Sequence, residues 1–130
     1  MTMELVQLHS FYAAPGFLLL AHEDGEAVGC VGLRALDAAR GEVRHLFVRP
    51  EHRGGGLGRR LLDRTSELAR AHGLRQLVLN TLATMTAARA LYDAEGFEPI
   101  EPYVATPVEG VLFLGRDLDV RHHGTDAAGQ

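Results

Sequence analysis

The apolar positions of this chain fall into short runs with two different periods. Residues 17–22 and 27–36 are apolar runs of strand length. Between them lies Glu23-Asp24-Gly25-Glu26, whose Asp-Gly pair favours a tight reversal, so 17–36 reads as a β-hairpin. Residues 37–41 form a second turn. A third strand follows over 42–48, apolar at Val43, Leu46, Phe47 and Val48. Pro50 ends it, because proline cannot donate to an interior ladder. The period then changes. Leu57, Leu61, Leu62, Thr65, Leu68 and Ala69 recur at helical spacing, and Gly73 stops that helix. A strand signal returns at 76–80. A second helix is expected over 84–94, with Ala87, Ala88, Leu91 and Ala94 on one face and Gly96 at its C-terminal end. Strands at 97–100 and 111–118 close the pattern, joined by a proline-containing loop. Ahead of the hairpin, 5–12 reads as the end of a helix and 13–16 as a break.

The series strand, glycine loop, helix, strand over 42–80 is a βαβ unit. Its two strands should be parallel, with a right-handed crossover. The expected fold is therefore mixed α/β (α+β): a mostly antiparallel sheet with a central parallel βαβ unit. A length of 130 residues suits one domain with a real core. We assign 1–120 to that domain and 121–130 to a polar, disordered tail. His122 and His123 fall in the tail, where a metal role is the weaker reading.

Charge narrows the partners. Thirteen arginines, no lysine and 17 acidic residues give a net charge of −4, which disfavours general nucleic-acid binding. It mildly favours cationic acceptors by steering. Cys30 is the single cysteine, lies in an apolar run, and reads as a small hydrophobe. With no disulfide, no signal segment and no apolar run of membrane length, a cytoplasmic protein is expected.

One stretch resists a purely structural reading. Arg53-Gly54-Gly55-Gly56-Leu57-Gly58-Arg59-Arg60 sits between a strand and a helix, with Arg49 close by. A helix start is partly positive, so arginines crowd it at a cost unless an anion is present. Glycines let the backbone approach a ligand, and successive N–H groups there cradle an anion. A flexible linker is the plainer alternative, but linkers seldom lie between apolar segments and carry so many cations. A P-loop fails for want of lysine, and the dinucleotide spacing fails because Arg59 and Leu61 stand where its third glycine belongs.

What fits is Arg53-x-x-Gly56-x-Gly58, which resembles the Arg/Gln-x-x-Gly-x-Gly/Ala motif of the GNAT superfamily of N-acetyltransferases. The resemblance extends from 42–53, similar to the family's fourth strand, to Leu79-Asn80-Thr81-Leu82, Met85, Ala88, Ala90-Leu91-Tyr92 and Gly96-Phe97, similar to its later signature. It covers roughly residues 14 to 118 and implies acetyl-CoA as cosubstrate and no metal. It implies that Arg53, Gly54, Gly55, Gly56, Leu57, Gly58 and Arg59 hold the pyrophosphate. A bulge in the family's fourth strand maps to Leu46, Phe47 and Val48, which would offer amides to the thioester and hold the pantetheine arm.

The reaction implied is acetyl transfer to a primary amine of a small molecule, amino acid or peptide. A simple alkylamine has a pKa of ~10, so a base helps to free it. The resemblance assigns Tyr92 as proton donor to the leaving thiolate and Glu42 as base. His45 is a rival base of suitable ordinary pKa. It alternates with Glu42, so only a bulge brings both to one face. Tyr103 is expected to shape the acceptor pocket, and Asn80 stands where many relatives carry aspartate. A non-catalytic acetyl-CoA-binding module is the rival class. Only about a dozen residues precede Pro15, so the family's first strand and first helix are expected to be missing. An uncovered sheet edge would then favour a homodimer.

Overall fold

The computed structural model describes residues 1–6, 16–106 and 108–118. Most of the helix end expected over 5–12, the break at 13–15 and the tail with His122 and His123 lie outside the described residues. The strands are β1 (Thr2–Val6), β2 (Phe17–Glu23), β3 (Glu26–Ala35), β4 (Arg40–Val48), β5 (Gln76–Leu82), β6 (Glu98–Pro99) and β7 (Val111–Asp117). Two helices accompany them, α1 (Leu57–Ala71) and α2 (Thr86–Ala94), with a single 3-10 turn at Pro50–His52. They form one seven-stranded sheet in the order β1-β2-β3-β4-β5-β7-β6. Every neighbouring pair is antiparallel except β4–β5, which is parallel as the βαβ pattern requires.

A strand leads the chain where none is expected. Thr2–Val6 pairs antiparallel with β2, from Thr2 opposite His22 to Val6 opposite Leu18. Only Thr2, Met3, Glu4 and Leu5 alternate polar with apolar, and the open edge of β2 offers N–H and C=O groups that need partners. Met3 packs against the core, and His22 Nε2 lies 2.9 Å from Glu4 Oε1. The expectation of a missing first strand is thus corrected.

The core lies on one face of the sheet. Phe17, Leu19, Val31, Leu33, Leu77 and Leu79 are buried there with Leu57, Leu61, Leu62 and Ala69 of α1 and Tyr92 of α2. Fully burying side chains of this size is worth about 1.5–3 kcal/mol each. Two glycines are set by close packing. A Cβ at Gly29 would stand 3.2 Å from Leu57 Cδ2 and 3.0 Å from the Phe47 carbonyl oxygen. A Cβ at Gly41 would stand 2.9 Å from Leu33 Cδ1 and from Leu74 Cδ1.

Two irregularities interrupt the middle of the sheet. The β4–β5 ladder runs only from Arg40 opposite Gln76 to Glu42 opposite Val78. Beyond those rungs the two strands diverge. In the same region β4 carries a bulge: Cys30 pairs with Phe47 but Gly32 pairs with Arg44, so β4 holds one extra residue. His45 absorbs it in the left-handed region, at φ 56°. The extra residue reverses the parity of the strand. Gly41 and Val43 face the core before the bulge; Leu46 and Val48 pack against it afterwards, and Phe47 points out.

Candidate active site

The glycine loop connects the end of β4 to α1. Arg53 is drawn back over the strand: its Nε donates to the Val48 carbonyl at 2.8 Å, and its guanidinium stands 5.6 Å from the centre of the exposed Phe47 ring. Gly54 and Gly56 have φ of 86° and 84°, a region costly to other residues. Gly56 is the N-cap of α1. No side chain caps that end, and its first turn holds no acidic residue. The first N–H groups of the helix therefore lack the usual capping oxygen. Open space surrounds Gly54, Gly55 and Gly56, where an added Cβ would meet nothing within 4 Å. Gly58 differs. Its Cβ would stand 3.0 Å from Leu91 Cδ2, so this glycine is set by the contact between α1 and α2.

Arg59 and Arg60 point in different directions. Arg59 Nε lies 3.2 Å from Glu95 Oε2, and Arg60 Nη2 reaches Met1 Sδ at 3.6 Å. Glu95 is buried, with Arg116 Nη1 at 3.6 Å on its other oxygen and Asp63 hydrogen-bonded to it. Burial first, and the neighbouring Asp63 second, push the Glu95 carboxyl up to about 7.

The gap between β4 and β5 opens a cavity of about 380 Å³. Glu42, Arg44, His45 and Leu46 line one side, Leu79, Asn80 and Thr81 the other, with Tyr92 of α2 between. Tyr92 comes from the helical face of the sheet. It is 8% exposed and packs 5.7 Å from the Phe97 ring centre. Burial raises its pKa above the ordinary phenol value, so it holds its proton throughout the neutral range.

Glu42 is on the opposite face, since its neighbours Gly41 and Val43 point to the core. It is 4% exposed. Tyr103 donates its hydroxyl to Oε2 at 2.7 Å, while Arg34 Nη2 and Arg44 Nη1 each donate to Oε1 at 3.1 Å. Asn80 Nδ2 donates to the Tyr103 oxygen at 3.3 Å. Burial and then the Glu42 carboxylate raise the Tyr103 pKa far above the phenol range. Tyr103 also meets Phe113 edge to face at 5.1 Å.

Tyr92, Glu42 and Leu46 thus share one cavity, with Phe47 and Val48 following on the same strand toward the loop. His45 lines the cavity with an exposed side chain, and its carbonyl accepts from Cys30 Sγ at 3.2 Å. Arg34 and Arg44 are the residues that sequence reasoning missed. The signal was in the hairpin register: Arg34 sits directly opposite Glu42, and Arg44 lies two residues along the same strand.

Known proteins resemble this chain in sequence and fold. The sequence model of the acetyltransferase (GNAT) family matches residues 2–97. An IAA acetyltransferase of Azospirillum brasilense is 42% identical over 105 residues, covering 77% of this chain and 67% of that protein. A Klebsiella pneumoniae structure assigned to the acyl-CoA N-acyltransferases superposes with a TM-score of 0.75 at 30% identity, over 79% of this chain and 72% of that one. A GNAT family acetyltransferase from Elizabethkingia anophelis, with acetyl-CoA bound, shares the fold at a TM-score of 0.73 and 20% identity, over 89% of this chain and 97% of that one. The chain belongs to the GNAT family and is an acetyl-CoA-dependent acetyltransferase.

Proposed function

We propose that the protein moves an acetyl group from acetyl-CoA to a primary amine of a small molecule, amino acid or peptide, by direct attack of the amine. The observation that carries this reading is the cavity in the β4–β5 gap, which joins Tyr92 on the helical side to Glu42 on the other. It gives a thioester and an amine a meeting place between two faces of one sheet.

The loop suits a pyrophosphate. An uncapped helix start, open space over three glycines and a first turn without acidic residues all favour an anion. The N–H groups from Gly54 to Arg59, with the Arg53 guanidinium, would hold it. Leu46, Phe47 and Val48 lie past the last β4–β5 rung, so their backbone groups are available to the pantetheine arm and to the thioester oxygen. Acetyl-CoA supplies the activated acetyl group. Tyr92, buried and protonated, gives its proton to the departing sulfur. Glu42 holds the amine and receives its proton. Of roughly four acceptor positions on a carboxylate, three are taken by Tyr103, Arg34 and Arg44, which leaves one for an incoming N–H.

Among the described residues no helix is long and apolar enough to cross a membrane. A reduced, cytoplasmic setting accords with the free thiol of Cys30. The edge of β1 away from β2 is a surface on which two copies could pair as a homodimer.

The test is thiol release from acetyl-CoA in the presence of small amines, amino acids and short peptides. Turnover with at least one class is expected. Tight acetyl-CoA binding with no turnover across the panel would defeat the enzyme reading in favour of a binding module.

A further inference from the structure

The acceptor side of the cavity has a charge pattern opposite to that of the chain. The protein carries −4 overall. Around Glu42, however, one carboxylate is met by two guanidiniums, so the cluster is net positive. Each arginine gives a hydrogen bond to Glu42 Oε1, yet 49% of the Arg34 side chain and 39% of the Arg44 side chain remain exposed. A guanidinium has five N–H donors in a rigid fork. The one bond each gives Glu42 leaves donors that can turn toward a ligand. Arg44 lines the cavity itself. Tyr103 and Asn80 complete the wall on this face, the first held to Glu42 and the second to Tyr103.

A simple alkylamine would bring a second positive charge to a site where cations already outnumber the carboxylate. A zwitterion would not. We propose that the acceptor is an α-amino acid, its ammonium directed to Glu42 and its carboxylate taken by Arg44 with Arg34 behind it. The match lies in spacing. In an α-amino acid the two charged groups are separated by one carbon, and in the protein the Glu42 carboxylate and the two guanidiniums are in direct contact at 3.1 Å. Opposite charges can then pair crosswise without a vacant ion on either side. Asn80 adds no charge near the amine, so among the described residues Glu42 remains the single carboxylate lining this cavity. The inference rests on the amine acetyltransferase reading above and narrows its acceptor class.

The experiment uses the full chain and the common L-α-amino acids, each beside its α-amide and its decarboxylated amine, with acetyl-CoA as donor. At least one amino acid should exceed its own amide in kcat/KM by about 10- to 100-fold, the range of a charge-assisted hydrogen bond. Arg44→Gln should raise KM for that amino acid by a similar factor. KM for the decarboxylated amine should fall instead, because one of the cations beside Glu42 is gone, whereas a merely structural role would raise both. Arg34→Gln should act in the same direction, and Arg44→Lys should restore part of the loss. Amides or decarboxylated amines turned over as well as their parent amino acids would overturn the proposal while leaving acetyl transfer intact. Calorimetry of the amino acids on protein loaded with coenzyme A separates the remaining cases. Arg44-dependent binding without turnover would keep the acceptor class and defeat the catalytic reading. No binding and no turnover would defeat both.

Discussion

Tyr92 and Glu42 carry the two proton transfers proposed for the site. Tyr92 lies against the β4–β5 gap with its proton held by burial. Replacing it with phenylalanine keeps the packing against Phe97 and removes the donor. Turnover should fall by about 100-fold, the lower end for general acid catalysis, with acetyl-CoA affinity by calorimetry unchanged. Equal turnover would remove Tyr92 as the acid. Glu95 makes a different prediction. Its carboxyl is raised from the ordinary 4.5 to about 7, so between those values the folded chain keeps a proton that the unfolded chain has released. Its contribution to stability is therefore full at low pH and is lost as pH rises through about 7. Glu95→Gln should flatten that part of the Tm-against-pH curve; an unaltered slope would show that another group titrates. Glu95 could not be read from local pattern, and the arginines at Glu42 only from the hairpin register. Glu42 and Tyr103 are 61 residues apart in the chain, and their bond exists only once β5 and β7 are laid beside β4. The role proposed for Tyr92 rests on a motif, Ala90-Leu91-Tyr92 with Gly96-Phe97, and not on its surroundings.

Elements were more legible than contacts. The hairpin at β2–β3, the parallel βαβ unit and the two helices follow from apolar period and glycine punctuation. α1 presents a single apolar face to the sheet, which is the pattern a period of 3.6 encodes, whereas α2 turns Ala88, Leu91 and Tyr92 inward and leaves the expected Ala87 and Ala94 exposed. The strand β1 was hidden for a physical reason. Five residues whose three apolar positions, Met3, Leu5 and Val6, do not alternate cleanly give a weak signal, and pairing with the β2 edge supplies what the sequence does not. The bulge in β4 was implied by the family resemblance at 46–48 but not marked by local pattern, since Arg44-His45-Leu46 has no glycine where the left-handed residue, His45, falls. The glycine loop divides by function: Gly54 and Gly56 serve the turn, while Gly58 serves the joint between helices. Gly58→Val should therefore force α1 and α2 apart. Overpacking of this kind costs about 1–3 kcal/mol. The urea midpoint should drop with little change in its slope. Activity should fall with it, because Leu91 and Tyr92 are consecutive on α2. A variant with full stability would mean that the helices yield without strain.

On the scale of the whole molecule, the short ladder between β4 and β5 divides the sheet into two panels. Donor loop and helices stand on one side, and the Glu42–Tyr103 wall on the other. The consequence is kinetic. Two substrates that arrive from opposite faces do not obstruct each other, so neither product has to leave before the second substrate binds. Cys30 offers no covalent relay between them: burial pushes its thiol up, and its sulfur is already spent on the His45 carbonyl. Initial rates measured against both substrates should give double-reciprocal lines that intersect. Parallel lines would mean that the acetyl group rests on the protein between two half-reactions, and the gap in the sheet would then be a corridor used by one substrate at a time.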